Sequence, residues 1–244
     1  MTAAADFETT AAPTHGDRIM RTHLVTGATS GIGRAIAERL ARDGDRVVPV
    51  LRAPDAARPD ALIADFSDPR ATRAAFRAFT GPVDSFVNCA GIALARPLFD
   101  CADTDLERIF AVNVLSPMAA LSELKGKFRD GGTIVLLSSE ASHRGSWDDA
   151  YAASKGAVNA LVRSLAAKFA PGVRVIGLAP GVTADTGMTA GKSAETYRGW
   201  ADRTLLKRLA RPHELAELVA ALLGPAGASM TGTIVDANGG SYLR

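Results

Sequence analysis

Tyr151 and Lys155 are the residues whose types and spacing most directly indicate chemistry. They lie four positions apart in the run Tyr-Ala-Ala-Ser-Lys, and residues at this spacing share one face of a helix. A free phenol has a pKa of about 10, and a nearby ammonium group lowers that pKa by favouring the phenolate. The pair therefore predicts a group that exchanges a proton with an alcohol or a carbonyl. Because such pairs are common on ordinary helices, this interpretation depends on the rest of the chain.

A glycine-rich turn, Thr26-Gly-Ala-Thr-Ser-Gly-Ile-Gly33, joins the first predicted strand to the first predicted helix. Its glycines allow a tight turn, close approach of a pyrophosphate and close packing of the helix on the strand. The amide groups and the dipole of the helix N-terminus then face the phosphates. We predict a dinucleotide-binding turn that includes Gly27, Thr29, Ser30, Gly31, Ile32 and Gly33.

The residue that follows the second predicted strand bears on which dinucleotide fits. A carboxylate there would bond to the ribose hydroxyls and repel a 2′-phosphate, whereas this chain has Arg52. Arg34, just beyond the glycine turn, is a second cation that could assist. These residues favour NADP(H) over NAD(H). NAD remains the alternative, because both arginines could be ordinary surface charge.

Two further strand ends carry residues that suit a dinucleotide. Asp65 and Phe66 follow the third predicted strand, where a carboxylate can accept a hydrogen bond from the adenine amino group. The run Asn88-Cys-Ala-Gly91 follows the fourth. Its small residues Ala90 and Gly91 let the backbone pass beside the cofactor, and Asn88 can pin the loop.

Short apolar runs alternate with amphipathic stretches from residue 22 onward. We predict strands at residues 23–26, 47–51, 61–64, 83–87, 132–137, 173–178 and 232–236, and helices at 32–43, 69–79, 106–121, 151–169 and 212–223. This alternation predicts right-handed crossovers and a parallel sheet covered on both faces, an α/β fold. Residues 21–244 are expected to form a single domain, and residues 1–20 a disordered tail.

The composition is ordinary for a globular protein, with 47% hydrophobic and 22% charged residues and a net charge of +2. That charge favours neither nucleic acid nor an anionic membrane as a partner, and no run of eighteen apolar residues predicts a membrane span. Cys89 and Cys101 lack the spacing of a metal site or a disulfide framework. We predict no metal, two reduced thiols and a cytoplasmic location.

With the glycine turn, Asn-Cys-Ala-Gly and Tyr-x-x-x-Lys in this order at strand ends, the chain resembles the short-chain dehydrogenase/reductase family from about Thr22 to its C-terminus. The resemblance implies a Rossmann fold with a doubly wound, seven-stranded sheet and the nicotinamide at the carboxyl ends of the strands. It also implies a catalytic tetrad of Asn113, Ser139, Tyr151 and Lys155.

The resemblance gives each member of this tetrad a role. Tyr151 is the acid/base, Lys155 binds the nicotinamide ribose and lowers the Tyr151 pKa, and Asn113 holds a water that links Lys155 to solvent. For the serine, the family's strand-Ser-Ser pattern selects Ser139, whereas a frequent family spacing from the tyrosine selects Ser138. We favour Ser139, because the strand end fixes direction while the following loop can lose a residue.

The resemblance extends to later segments. Pro180, Gly181, Val182 and Thr183 match the loop that receives the nicotinamide carboxamide, and Thr186 matches a position near the phosphates. The ending Asn238-Gly-Gly240 resembles a last-strand signature that often lies at a tetramer interface. A homo-oligomer, tetramer or dimer, is therefore expected.

The substrate pocket is expected after Ser139, around residues 93–98, and beneath a lid at residues 186–206. One interpretation has Glu140 or His143 contacting a polar substrate; the other has a solvated loop with Trp147 packing at a subunit contact.

The main hypothesis is NADPH-dependent reduction of a ketone to a secondary alcohol, with a small-molecule carbonyl or alcohol as substrate. The alternatives are an NAD-dependent alcohol dehydrogenase, a reductase acting on C=N, and a non-catalytic dinucleotide sensor of redox state. A sensor would not require the proton relay that the tetrad forms.

Overall fold

The computed structural model describes residues 19–243 and contains one seven-stranded parallel sheet. The strands stand in the order β3-β2-β1-β4-β5-β6-β7. Their bounds are β1 Thr22–Thr26, β2 Arg46–Leu51, β3 Leu62–Ile63, β4 Val83–Asn88, β5 Phe128–Leu137, β6 Val173–Pro180 and β7 Ile234–Ala237. This confirms the predicted α/β fold with its doubly wound, seven-stranded sheet. Most of the predicted tail, residues 1–18, lies outside the described residues.

Helices cover both faces of the sheet. In chain order they are α1 Gly31–Arg42, α2 Pro69–Ala78, α3 Asp103–Phe110, α4 Ser116–Leu124, α5 Ala141–Arg144, α6 Asp149–Phe169, α7 Ala194–Asp202 and α8 Pro212–Leu223. Ile36 and Leu40 of α1 pack with Val219 of α8 on one face. On the other face, α2, α4 and α6 contribute Phe76, Leu124 and Val162. No helix within residues 19–243 is long and apolar enough to cross a membrane.

Burial on both faces explains why the strands are apolar along most of their length. All five residues of β1 are buried, and so are the last six residues of β5. The rings of Phe76 and Phe86 meet edge to face with centroids 5.7 Å apart. This packing fixes α2 against the centre of the sheet.

The helix predicted at residues 106–121 is interrupted in the structure. It starts earlier, as α3, widens into a π turn over Ala111–Leu115, and continues as α4. Pro117 explains the interruption, because it has no N–H to donate to the carbonyl of Asn113, four residues earlier. A π turn within a helix often marks a functional position.

The strand order reverses between β1 and β4, the central neighbours in the sheet. Dinucleotides bind in the crevice at the carboxyl ends of such strands. The glycine turn follows β1, the Asn-Cys-Ala-Gly loop follows β4, Ser138 and Ser139 follow β5, and residues 181–183 follow β6. The fold therefore brings every predicted motif to one edge of the sheet.

Candidate active site

The glycine turn is shaped for close backbone contact. Gly27 and Gly31 have φ angles of 66° and 52°, in the left-handed region that favours glycine. A Cβ atom at Gly33 would lie 2.3 Å from the carbonyl oxygen of Gly27, so no side chain fits there. The first turn of α1 is thereby pressed against the end of β1.

The N-terminus of α1 is open to an anion. Ser30 precedes the helix, but its side chain bonds to no helix N–H, and the first turn contains no acidic residue. The N–H groups and dipole of this 12-residue helix therefore suit a pyrophosphate. Thr186 lies over the turn, since a Cβ at Gly31 would be 3.4 Å from its Cβ. Thr29 and Ile32 flank these groups in the same turn.

Asn88 joins the ends of β1 and β4. Its Oδ1 accepts a hydrogen bond from the Thr26 hydroxyl at 2.9 Å, and the Thr26 oxygen accepts one from the Ala90 N–H at 2.8 Å. These bonds hold the Asn-Cys-Ala-Gly loop beside the glycine turn. A Cβ at Gly27 would lie 3.1 Å from the Ala90 nitrogen, so the two loops are in direct backbone contact.

Asn113 and Lys155 converge at Gly91. A Cβ there would lie 3.3 Å from the Asn113 Oδ1 and 3.4 Å from the Lys155 Nζ. Asn113 lies in the π turn, where its amide accepts from the Ile92 N–H and donates to the Ile92 carbonyl, each at 2.9 Å, and donates to the Ser154 hydroxyl. Lys155 is buried, and its Nζ donates a hydrogen bond to the Leu137 carbonyl at 2.7 Å.

Tyr151 and Ser139 form the other half of the group. The Ser139 side chain lies near enough to the Tyr151 phenol to lower its pKa, and the Lys155 Nζ lies 5.7 Å from the centroid of the Tyr151 ring. The structure therefore brings all four predicted tetrad residues to one place at the carboxyl edge of the sheet.

The two adjacent serines have different partners. The Ser138 hydroxyl donates to the Asn159 Oδ1 at 2.6 Å and has longer contacts with the Lys155 carbonyl and the Ser142 hydroxyl. These contacts tie β5 to α6. Because Ser138 is bonded within the fold, whereas Ser139 interacts with the Tyr151 phenol, Ser139 is the better candidate for the serine of the tetrad.

The predicted lowering of the Tyr151 pKa does not hold in this chain. Burial raises the pKa of Tyr151 above its usual value; the Ser139 hydrogen bond opposes this shift, and the charges of Asp148 and Glu140 add to it. Burial also lowers the pKa of Lys155 to about 8 and raises that of the free Cys89 thiol to about 12. Desolvation opposes the charged form of each group, so without bound cofactor Tyr151 is held as a neutral phenol.

The adenosine end contains the predicted polar groups. Arg52 is exposed just after β2. Hydrogen bonds from the Ser67 backbone and hydroxyl lower the pKa of Asp65, and Arg52 lowers it further. The Phe66 side chain is buried against Phe76, so only its backbone is available to a cofactor.

A shallow cavity of about 330 Å³ opens beside the glycine turn, lined by Ala28, Arg34, Glu38 and residues 57–61. The candidate tetrad of Asn113, Ser139, Tyr151 and Lys155 is not part of it. Arg34 pairs with Glu38 at 3.7 Å, with both side chains largely exposed. Such a pair is readily rearranged, so Arg34 stays available near the phosphate end.

The loop after β6 lies against the last strand. Pro180 ends β6 opposite Ala237, and a Cβ at Gly181 would lie 3.0 Å from the Asn238 Cα. The buried Thr183 hydroxyl donates to the Gly181 carbonyl at 3.1 Å. The backbone at Val182 is therefore held at the carboxyl edge of the sheet, as a carboxamide-binding loop requires.

Glu140 and His143 bond within the protein and do not form an open substrate surface. Buried Glu140 accepts from Arg144 at 2.8 Å and from the Ser241 hydroxyl. The His143 ring stacks on Tyr242 with centroids 5.9 Å apart. The C-terminal segment thus occupies the groups that the first interpretation assigned to a substrate. Trp147 is 67% exposed, which fits the alternative.

Sequence reasoning missed Asp148. The predicted helix began at Tyr151, whereas α6 begins at Asp149 with Asp148 as its N-cap. An aspartate three residues before Tyr151 is a recognisable N-cap signal. The hydrogen bonds that Asp148 accepts from the loop after β4 have no signal in the sequence.

The fold and the site together define a class, the α/β oxidoreductases that use a nicotinamide dinucleotide. A family model described as "Enoyl-(Acyl carrier protein) reductase" matches residues 27–242. Galactitol 2-dehydrogenase (L-tagatose-forming) of Cereibacter sphaeroides is 36% identical over 239 residues, which cover 88% of this chain and 92% of that protein.

Solved structures agree with these matches. A short-chain dehydrogenase/reductase from Brucella melitensis, described as a glucose/ribitol dehydrogenase, has a TM-score of 0.84 and 30% identity, covering 92% of this chain and 97% of that one. A short-chain dehydrogenase from Burkholderia cenocepacia, solved with NADP, has a TM-score of 0.82 and 33% identity, covering 92% and 99%. The chain belongs to the short-chain dehydrogenase/reductase family, and it is an NAD(P)-dependent oxidoreductase of the type that acts on CH–OH or C=O groups.

Proposed function

We propose that the protein reduces a ketone to a secondary alcohol with NADPH. The observation that carries this proposal is the convergence of Ser139, the Tyr151 phenol and the buried Lys155 at the carboxyl edge of the sheet. A neutral phenol is the form that can donate a proton to a developing alkoxide. The raised Tyr151 pKa therefore suits the reductive direction.

Each tetrad residue has a distinct part in this reaction. Ser139 orients the substrate oxygen by hydrogen bonding, and Tyr151 delivers the proton to that oxygen. Lys155 holds a positive charge under the Tyr151 ring and is placed to bind a ribose. Asn113 fixes the π turn against Ile92. A bound nicotinamide supplies the hydride.

The basic residues near the adenosine end support NADP(H). Arg52 stands where a carboxylate would exclude a 2′-phosphate, and Arg34 lies at the cavity beside the glycine turn. The NADP complex of the Burkholderia cenocepacia relative is consistent with this choice. The remaining cofactor residues are proposed from their placement: the glycine turn, Asp65, the Phe66 backbone, the Asn88 loop, residues 180–183 and Thr186.

A second candidate is NAD-dependent oxidation of a polyol. It is favoured by the 36% identity to galactitol 2-dehydrogenase and by the description of the Brucella melitensis relative as a glucose/ribitol dehydrogenase. Polyols and the matching ketoses therefore belong at the front of any substrate panel, with simple ketones and imines behind them.

Two broader features are part of the proposal. We expect residues 186–206 to close over the substrate as a lid, because α7 within this segment contains no buried residue. The Tyr197 hydroxyl donates a hydrogen bond to the Thr189 carbonyl, which joins α7 to the preceding loop. We also expect a homo-oligomer, dimer or tetramer, that works in the cytoplasm.

Turnover of the panel, followed by nicotinamide absorbance, tests the reaction. Tyr151→Phe removes the proton donor but keeps the ring, so we expect activity to fall by at least about 10²-fold while NADPH binding, measured by fluorescence, is retained. Full activity in Tyr151→Phe would disprove the assignment of the acid.

Cofactor choice is tested by titrating NADPH and NADH into wild type, Arg52→Ala and Arg46→Ala. Arg46 is also exposed and lies at the opposite end of β2, so it controls for the loss of one surface charge. We expect Arg52→Ala alone to weaken NADPH binding, by about tenfold, the loss of one charge-assisted contact. Equal binding of both cofactors by wild type would contradict the NADP preference.

A further inference from the structure

Asp148 is a buried carboxylate with no part in the proposed chemistry, and it bonds to two separate segments. It is 5% exposed. Its Oδ1 accepts from the Tyr151 N–H at 3.0 Å, which caps α6 at the turn that carries the proposed acid. Its Oδ2 accepts from the N–H groups of both Leu94 and Ala95, each at 2.7 Å. One side chain thus links the loop after β4 to the Tyr151 turn.

The backbone of that loop is strained where Asp148 holds it. Ala95 has a φ of 55°, a left-handed conformation that costs free energy for a residue with a Cβ. Two successive N–H groups directed at one oxygen form a small anion-binding concavity. A carboxylate at this point offsets the strain at Ala95, and the loop shape depends on it.

The neighbouring Asp149 adds a weaker constraint. Its Oδ2 accepts from the Leu98 N–H at 2.9 Å, but this bond is exposed. The Asp148 bonds are the better shielded ones, so they are the ones expected to control the loop.

We propose that Asp148 is a positioning residue, which fixes the loop of residues 92–98 against the Tyr151 turn of α6 and so forms one wall of the substrate site. The proposal rests on the proposed function, because that function places the substrate between this loop and Tyr151.

The Asp148 carboxylate also affects the pKa of the proposed acid, Tyr151. The charged and titratable groups around Tyr151 are Asp148 at the N-cap of α6, Lys155 on α6, Glu140 before α5, and Cys89 next to Lys155. Asp148 and Glu140 are the two anions that oppose ionisation of the phenol, and Asp148 has the larger effect.

Asp148→Ser separates the two bonding roles. A serine still caps a helix, but its side chain is too short to reach Leu94 and Ala95. Asp148→Asn keeps an oxygen for the cap and removes the charge. The matched control is Asp68→Ser, since Asp68 caps α2 through the N–H groups of Arg70 and Ala71 and its side chain bonds to neither the Tyr151 turn nor residues 92–98.

Three measurements distinguish positioning from general stability. In Asp148→Ser we expect KM for the carbonyl substrate to rise about tenfold, the loss of two ordinary hydrogen bonds, with kcat changed less and NADPH affinity unchanged. Hydrogen–deuterium exchange of the peptide covering residues 92–99 should accelerate by a similar factor. In Asp148→Asn the pH profile of alcohol oxidation should shift to lower pH, because the Tyr151 phenol loses a neighbouring negative charge. Asp68→Ser should show none of these changes.

The proposal is overturned if exchange of residues 92–99 and KM in both Asp148 variants match those of Asp68→Ser. Absence of turnover in wild type with every substrate of the panel would instead refute the proposed function. Amide exchange would still decide the role of Asp148 in that case, because it requires no reaction.

Discussion

At the scale of single residues, Ser138 and Ser139 show how one position of sequence separates structure from chemistry. Both are buried at the end of β5. Ser138 donates a hydrogen bond to the side-chain oxygen of Asn159 on α6, whereas Ser139 lies beside the Tyr151 phenol and lowers its pKa. The first interaction holds two elements together, and the second acts on the proposed acid.

We therefore expect the two alanine variants to fail in different ways. Ser139→Ala should lower kcat by about 10²–10³-fold, the cost of losing one donor to a developing oxyanion, with little change in Tm. Ser138→Ala should instead lower the free energy of unfolding by about 1–3 kcal/mol, because the Asn159 oxygen loses its buried partner. Steady-state kinetics and thermal unfolding of both variants provide the check. Greater loss of kcat in Ser138→Ala would reverse the assignment.

Sequence patterns located these residues but not their electrostatics. The spacing of Tyr151 and Lys155 and the pair of serines after β5 predict the candidate site that the structure brings together. The direction of the Tyr151 pKa shift was wrong, because it depends on desolvation and on the anions Asp148 and Glu140. Burial of a particular oxygen is a property of the packed structure, which a four-residue spacing does not encode.

At the scale of elements, the predicted bounds agree with the structure where apolar residues recur regularly, and they differ where a local feature departs from that pattern. The helix α8 was predicted at its observed bounds, since its apolar positions recur regularly between Pro212 and Gly224. The π turn was missed because the apolar pattern continues through it. The pairing of Phe128 with Val83, which extends β5 toward its start, was missed because Arg129, Asp130 and Gly131 interrupt the apolar pattern.

A buried polar network at the amino ends of β1 and β4 is a second element-scale feature without a sequence signal. The His23 Nδ1 lies 2.6 Å from the Ser85 hydroxyl, and its Nε2 lies 3.1 Å from Asp45, which also pairs with Arg21 at 2.7 Å. Burial lowers the pKa of His23 despite the neighbouring carboxylate. His23 is therefore neutral in the folded protein at neutral pH.

This network predicts a loss of stability in mild acid. The folded pKa of His23 lies below its unfolded value of about 6.5, so the unfolded chain binds more protons as the pH falls below that value. We expect the free energy of unfolding to be fully retained above pH 6.5 and to decline below it, with a fall in Tm on the order of a few °C by pH 5.

Thermal unfolding between pH 8 and pH 5 tests this, with His23→Gln as the comparison. Glutamine keeps hydrogen-bonding groups but does not titrate, so its Tm should start lower at pH 8 and change less. Carboxylates common to both proteins cancel in the difference. Parallel curves for the two proteins would show that His23 is not the group responsible.

At the scale of the whole molecule, the topology followed from the order of motifs, whereas the surface did not. The glycine turn, the Asn88 loop and the serines each follow a strand, so a parallel sheet must bring them to one edge. Which apolar side chains remain outside the core depends on packing. Phe99 is 96% exposed, and Leu115 and Met118 stay about half exposed beside the π turn.

These exposed side chains predict assembly through the surface around α4. Leu115 and Met118 are three residues apart and present adjacent apolar groups on one helical face. Exposed apolar patches of this kind often mark protein–protein contacts. A homo-oligomer with closed symmetry would bury them.

Light scattering of the wild-type protein should therefore give a mass of two or four times 25.4 kDa. Met118→Glu should shift this mass toward that of the monomer, because a carboxylate in an apolar contact is strongly unfavourable. The control is Met230→Glu, the same change at a less exposed methionine after α8, and we expect it to keep the wild-type mass. A monomeric wild type would contradict an interface at α4, and so would an unchanged mass in Met118→Glu.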